Sequence, residues 1–358
     1  MNAKFDPDRH APRDIATEFE KRFSVGSYLA HQGQKFTERF DANSYLAISS
    51  AMDWLDLGED DAALRDTFAK STCDWLLVSF SSDWLFLPAQ SRQIVNALSA
   101  LGRRVTYTEI TTDNGHDAFL LSPDIAQYGP LVGARLDPPA VDQAVELADH
   151  ERRILDWIGD AEGVLDLGCG SGRLLAALEA RNAAAHPGAV EPPRFMGVEV
   201  AQPKLIAAAR RGVDVIDYDL NRGLPAFTDG QYDVVVLSAT LQVIENVEGL
   251  MAEMIRVGRR VVLSFTNFAY RELREMFAAT GRSPRSAAGR GNYDFSWHDT
   301  PNRRFPSILD VEDFCAEEGY TIHRALYLHT PDGTEVPADA DPNLNADLAI
   351  LEIGRAPR

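Results

Sequence analysis

Apolar residues in this chain fall into two kinds of stretch that alternate along its length. One is a short run dense in Val, Ile, Leu and aromatic residues, bounded by turn formers; the other repeats every three or four positions and closes on glycine. Residues 14–70 read as helices with polar breaks and include "FTERFDANSYLAISSAMDWLDL". "DWLLVSF" (74–80) then predicts a strand, "SRQIVNALSALG" (91–102) a helix, and "RVTYTEI" (104–110) a second strand. The proline- and glycine-rich "SPDIAQYGPLVGARLDPPAVDQ" (122–143) reads as an interdomain linker. Beyond it, the amphipathic "VDQAVELADHERRILDWIG" leads into "GVLDLGCGSGRLLAALEA", an apolar strand, a glycine turn and a helix. Further strands are expected at 195–200, 214–220, 232–238 and 260–266, with helices between, and a closing antiparallel hairpin at 322–330 and 347–354. Strands alternating with helices predict a parallel, doubly wound α/β sheet.

Composition narrows the class. The 358 residues are 45% hydrophobic and 25% charged, enough for two domains with a core each. A formal charge of −19 without a basic stripe argues against nucleic acid and anionic membranes as partners. Cys73, Cys169 and Cys315 have neither paired nor metal-type spacing, so no metal site is expected. The N-terminal "MNAKFDPDRHAPRD" is charged where a leader would be apolar, and no apolar run approaches the ~20 residues of a bilayer span. A cytoplasmic protein is expected.

"LDLGCGSGRL" places Gly168, Gly170 and Gly172 in a G-x-G-x-G pattern, with Arg173 where a dinucleotide fingerprint needs its third glycine. Asp166 ends the strand before the loop, Glu199 ends the next strand and Asp219 the third. A carboxylate at the second position can take both ribose hydroxyls, the third can accept from an adenine amino group, and Asp166 can meet a ligand ammonium through water. Three acids would repel a pyrophosphate and suit S-adenosylmethionine or S-adenosylhomocysteine.

From this point the sequence resembles class I methyltransferases, and within them the methionine-biosynthesis protein MetW family. The resemblance rests on "VLDLGCGSGRLL", "GVEV", "DYDLNRGLPAF", "YDVVVLSATLQ", "EMIRVGRRVVLSFTNF", "DFSWHDTPNRRF" and "ILDVEDFC", collinear over roughly 164–320. It implies that Leu220 and Ser238 line the cofactor pocket beside the acids. His298 and Thr266 depart from the family pattern, and "AAAHPGAVEPPRF" lengthens the loop before Glu199. The stretch "SATLQV" offers Ser238, Thr240 and Gln242 near a methyl acceptor but no evident base, for which Asn267 and His298 are the remaining candidates.

Asp83, in "SSDWLFLPAQ", and His116, in "NGHDAFLL", each open the loop after a predicted strand, as the acid and base of a hydrolase triad do. The surrounding "FSVGSYLAHQGQKFTERFDANSYLAISSAMDWLDL", "LLVSFSSDWLFLPAQSRQIVNAL" and "VTYTEITTDNGHDAFLL" resemble, in order, the homoserine O-acyltransferase (MetX-type) family of α/β-hydrolases. The resemblance implies a helical lid that also makes dimer contacts, then the last two core strands. It assigns orientation to Asp83, base to His116, the homoserine ammonium to Asp117 and its carboxylate to Arg39, with Tyr45 nearby. The nucleophile should precede Asp83 at a glycine-flanked elbow. Ser24, Ser27, Ser44, Ser49, Ser50, Ser71, Ser79, Ser81 and Ser82 all lack that flank.

The expected architecture is thus residues 1–122 as a partial α/β-hydrolase segment with helical lid, a linker over 123–145, and a doubly wound class I methyltransferase (Rossmann-like) domain over 146–358. Two strands cannot make a hydrolase sheet, so residues 1–122 need a partner surface. The readings left open are a piece of a longer fusion, a natural remnant that docks a complete acyltransferase, and an unnamed independent role. The expected partners are an acyltransferase N-terminal segment or a complete enzyme, and an oligomer is expected. Both resemblances imply methionine biosynthesis, because the MetW family is linked to homoserine acyltransferases as a partner needed for their activity. The alternative is an active S-adenosylmethionine-dependent small-molecule methyltransferase.

Overall fold

The computed structural model describes residues 24–137, 145–187, 193–283 and 296–355. The chain divides into a helical unit up to Ala63 and a larger unit from Leu64 onward. In the helical unit, α1 (Ser24–Arg39) is followed by α2 (Ala42–Asp53). Asp41 caps α2 by accepting from the Ser44 N–H at 2.8 Å. No residue of α2 is buried, and Phe36, Phe40, Leu46, Met52, Trp54 and Leu55 are all exposed. Helix α3 (Asp61–Phe68) buries Leu64 and Phe68 in the core of the larger unit.

The strands of the larger unit are β1 (Trp75–Phe80), β2 (Val105–Ile110), β3 (Gly163–Leu167), β4 (Arg194–Glu199), β5 (Val215–Asp217), β6 (Tyr232–Ser238), β7 (Gly258–Thr266), β8 (Tyr320–His329), β9 (Thr334–Glu335) and β10 (Leu348–Arg355). Among the described residues these ten form one sheet, ordered β1-β2-β5-β4-β3-β6-β7-β10-β8-β9. Strands β1 to β7 run parallel to their neighbours, and β10 lies antiparallel between β7 and β8. Alternate side chains feed opposite faces: Leu165, Leu167, Val235 and Leu237 enter one core, Val164, Val234 and Val236 the other. Burial on both faces is why these strands are continuous apolar runs rather than alternating ones.

Helices cover both faces. On the first lie α3, α4 (Pro88–Ala100), α9 (Val247–Val257) and α11 (Ile308–Glu317); on the second lie α5 (Ser122–Leu136), α6 (Asp149–Ile158), α7 (Arg173–Ala185) and α8 (Gln202–Ala209). Helix α10 (Arg271–Thr280) follows β7, and the short α12 (Pro342–Asn345) precedes β10. Among the described residues, no helix is long and apolar enough to cross a membrane.

Two expectations need correcting. Residues 122–136, read as linker, are helix α5; residues 138–144 of that stretch lie outside the described residues. One proline sits in the first turn, where a missing N–H leaves no bond unmade, and Pro130 is tolerated because tertiary contacts hold the helix. Leu131 is fully buried, and Arg135 donates to Thr106 Oγ1 and to Asp214. Nor do the two halves hold separate cores. Strand β2 pairs with β5 at Tyr107 and Ile216, and Leu98, Val105 and Tyr107 share a core with Leu165 and Val198. Pairing with β5 satisfies one edge of β2 that would otherwise present unpaired backbone groups.

Candidate functional site

Every parallel strand from β1 to β7 ends on the same side of the sheet, and both predicted clusters lie on loops there. Asp83 follows β1 and is buried, while His116 lies in a short 3-10 turn (Gly115–Leu120) after β2. Serines tie the two loops together: Ser82 Oγ accepts from the Gly115 N–H at 2.9 Å, and Ser81 Oγ accepts from the Thr112 N–H at 3.0 Å. His116 Nδ1 stands 3.0 Å from Asp83 Oδ2, while Asp83 Oδ1 accepts from the Leu85 and Phe86 N–H groups at 2.9 and 3.0 Å. Burial alone would raise the Asp83 pKa; the His116 bond and the two N–H donors outweigh it and hold the carboxyl below its ordinary range. An ionised Asp83 only accepts, so Nδ1 carries the hydrogen, and in the neutral tautomer this leaves the lone pair on Nε2. Nε2 has no hydrogen-bond partner among the described residues.

The rings of Phe86 and Phe119 flank His116 at 5.0 and 5.6 Å, and with the exposed Trp84, Leu85 and Leu120 on the same two loops they make an exposed apolar collar. Asp117 points to solvent with no hydrogen bond among the described residues. Arg39 and Tyr45 belong to the helical unit: Arg39 closes α1 with its guanidinium 5.9 Å from the Phe40 ring, and Tyr45 is exposed beside Phe36. The buried Ser79 hydroxyl is bonded to Tyr107 Oη at 2.9 Å, so it is not aimed at His116.

The second cluster surrounds the loop after β3. Gly168, Gly170 and Gly172 have φ of 73°, 58° and 73°. A Cβ at Gly168 would stand 2.6 Å from Thr240 Oγ1, and one at Gly172 2.8 Å from Ala208 Cβ. These two glycines are required by both the backbone sign and the close neighbours. Asp166 is 3% exposed, and its Oδ1 is buried without a partner among the described residues. Its carboxyl is pushed up to about 7 by burial, with the Glu151 and Glu199 charges adding to the effect. Glu199 Oε1 accepts from the Val200 and Ala201 N–H groups at 2.9 and 2.8 Å, and Oε2 from the Gly170 N–H at 3.0 Å. One lone pair of Oε2 stays available, so Glu199 both shapes the loop and offers an acceptor.

Asp219 accepts through one oxygen from the Asn221 N–H and Nδ2, both at 3.0 Å; Leu220 is buried next to it. Ser238 ends β6 with its hydroxyl 3.0 Å from Ser264 Oγ. The candidates for a methyl-transfer base separate. Asn267 is spent on structure, donating to the Asn343 and Ala346 carbonyls and accepting from Ala269 N–H, while His298 is exposed beside Trp297. Sequence reasoning missed Glu151, whose charge reaches Asp166 from α6, and Ala239, which adopts φ 49° at the turn after β6. An acid in the helix before a glycine loop was a usable signal for Glu151; alanine gives none for a left-handed turn.

Glu199 ends β4 as expected, but β5 stops at Asp217 and Asp219 follows it as the cap of a 3-10 turn. A buried, unpartnered carboxylate oxygen behind a glycine loop, with these acids at and just past the ends of the next two strands, fits a ligand bearing an ammonium and a ribose and does not fit a pyrophosphate. The order β5-β4-β3-β6-β7-β10-β8, parallel but for β10, together with this loop, gives the stretch from β3 to β10 the doubly wound α/β sheet of the class I methyltransferase fold. Residues 148–353 match the family described as methionine biosynthesis protein MetW, and the chain belongs to that family. Over its full length it is 57% identical to a bifunctional methionine biosynthesis protein MetXA/MetW of Rhodopirellula baltica, a match covering 100% of this chain and 58% of that protein. A homoserine O-acetyltransferase of Rhodopseudomonas palustris is 47% identical over 135 residues, 37% of this chain and 33% of its own length. Among solved structures, a SAM-dependent methyltransferase from Thermotoga maritima is 14% identical with a TM-score of 0.40, covering 67% of this chain and 98% of that one.

Proposed function

We propose that this chain serves methionine biosynthesis as the acid–base end of a homoserine O-acyltransferase, carried on a module that binds S-adenosylmethionine or S-adenosylhomocysteine. The Asp83–His116 hydrogen bond, with Nε2 left open inside an exposed apolar collar, carries the reading. A serine elbow on an acyltransferase segment that packs on this collar completes the triad. His116 takes the serine proton as the hydroxyl attacks the thioester of an acyl-CoA, and returns it to the departing CoA thiolate. It then takes the proton of the homoserine hydroxyl, which attacks the acyl-serine, and hands it back to serine as O-acylhomoserine leaves. Asp83 stabilises the imidazolium in both halves of the cycle. The resemblance to the acyltransferase family assigns the homoserine ammonium to Asp117 and its carboxylate to Arg39, with Tyr45 nearby.

In the other cluster, Asp166 would hold the methionyl ammonium, Glu199 the ribose hydroxyls, and Asp219 with Leu220 and Ser238 the adenine side. The bound group would supply a sulfonium methyl; among the described residues no base is positioned to use it, which favours a sensing or supporting role. Two measurements test the proposal. The 358-residue chain is mixed with an acyltransferase segment carrying the elbow, and O-acetylhomoserine is assayed from acetyl-CoA and homoserine. Product that requires both pieces and vanishes in His116→Ala supports the triad, and its absence from the wild-type mixture refutes it. Calorimetric titration with S-adenosylmethionine and S-adenosylhomocysteine reads the second cluster, and the module reading fails if neither binds.

A further inference from the structure

The side of the sheet opposite both clusters, where the parallel strands begin, holds a cavity of about 530 Å³. It spans the β2–β5 seam, with residues before β1 and β2 on one side and the starts of β4 and β6 on the other. Leu101, Phe195 and Met196 give it apolar walls, while Arg103, Arg104, Arg194 and Tyr232 give it donors. In a chain with a net charge of −19, three guanidiniums converging on one cavity need an explanation.

Only part of that charge is used. Arg104 Nε is 2.8 Å from Asp214 Oδ2 and 3.6 Å from Asp74 Oδ1, and Arg135 binds the other Asp214 oxygen. Arg103 donates through Nη2 to the Ala69 carbonyl, but its Nε is buried without a partner among the described residues. Arg194 makes no ion pair among them, and its side chain lies 3.2 Å from where a Cβ on Gly102 would stand. Tyr232 is 2% exposed; its hydroxyl has no hydrogen-bond partner among the described residues, and its ionisation, raised mainly by burial, also responds to the Arg194 and Asp214 charges. Four arginines therefore face two carboxylates. Glu179, whose carboxyl burial lifts to about 7, and the C-terminal carbonyls of α4 each contribute about half a negative charge at neutral pH. The buried Arg103 N–H and the Tyr232 phenol still have donors to give and nothing among the described residues to receive them.

We propose that this pocket binds a phosphate group, free or on a small organic phosphomonoester, through Arg103, Arg194 and Tyr232. The carboxylates that line the cavity, Asp74 and Asp214, are engaged by Arg104 and Arg135, whereas the groups left without a partner among the described residues, Arg103 Nε, the Arg194 guanidinium and the Tyr232 hydroxyl, are donors. Guanidinium forks with a phenol match the several acceptor oxygens of a phosphate better than a single carbonyl. Because the walls come from both sides of the seam, an anion there also bridges the acyltransferase-like strands to the MetW-like ones. The site depends on neither the dyad nor the glycine loop.

Calorimetry on the full 358-residue chain at low ionic strength, with inorganic phosphate in one arm and glycerol 3-phosphate in the other, tests the proposal. We expect one-site binding that weakens with added salt, and an affinity lowered about tenfold or more in both Arg194→Gln and Tyr232→Phe. Tighter binding of glycerol 3-phosphate assigns the site to organic phosphomonoesters; equal or tighter binding of the inorganic ion assigns it to free phosphate. Arg303→Gln, at an exposed arginine paired with Glu245, should bind as the wild type does. No saturable heat at millimolar concentration in either arm, unchanged affinity in the two site variants, or an equal loss in Arg303→Gln overturns the proposal. Arg194 is exposed, so its substitution leaves a folded protein in which binding can be read.

Discussion

Replacing Asp166 by asparagine should stabilise the protein more as the pH rises. In the unfolded chain the carboxyl has its ordinary value of 3.8, whereas in the fold it is pushed to about 7 by burial, with Glu151 and Glu199 contributing. Below 3.8 both states hold the proton and the group is neutral in stability. Between the two values the unfolded state has released the proton and the folded state still binds it, so stability falls by about 1.4 kcal/mol per pH unit. Above 7 both states are ionised, and the native state carries the whole penalty of about 4 kcal/mol. Asparagine has the same shape and leaves the same Oδ1 without a partner, so that contribution is common to both proteins. Urea unfolding at pH 5 and pH 8 then isolates the charge. The advantage of Asp166→Asn should grow by about 2–3 kcal/mol between the two, read as a shift in midpoint at constant slope. An advantage that is equal at both pH values, or that shrinks toward pH 8, would refute the reasoning about this buried carboxylate.

If the pocket takes the ammonium of S-adenosylmethionine, ionised Asp166 is the binding form, so calorimetric affinity should rise about tenfold from pH 6 to pH 8 and flatten in Asp166→Asn. Gly172→Ala forces a left-handed alanine whose Cβ meets Ala208 at 2.8 Å; it should destabilise by at least about 1–3 kcal/mol in urea titrations and weaken cofactor binding. Asp214→Ala strips two arginines of their shared carboxylate at the seam; because Arg104 is partly exposed, the loss should fall near about 3 kcal/mol in the same assay.

What was legible in the sequence followed local chemistry. "YDVVVLS" and "DWLLVSF" announce strands because they are packed on both faces or nearly so, and the acids at 166, 199 and 219 stand out because each closes or follows such a run. The pairing of Asp83 with His116 was readable from two loop neighbourhoods, and the structure brings the side chains to 3.0 Å. Helix α5 was hidden by Pro123, Gly129, Pro130 and Gly133, which argue for a break until the burial of Leu131 and the anchoring of Arg135 override them. The seam was unreadable for a different reason. No periodicity says which edge an edge strand will meet, and Arg104, Arg135 and Asp214, up to 110 positions apart, carry no mark of their meeting.

The β2–β5 pairing, short as it is, joins stretches that resemble two unrelated families, so the boundary between them lies inside one sheet and one core and is not a tether. Residues from Leu64 onward should melt in one transition, and the slowest amides to exchange with deuterated solvent should lie on both sides of that boundary. A cut between the two resembling stretches would yield two halves, each missing a neighbour, rather than two proteins.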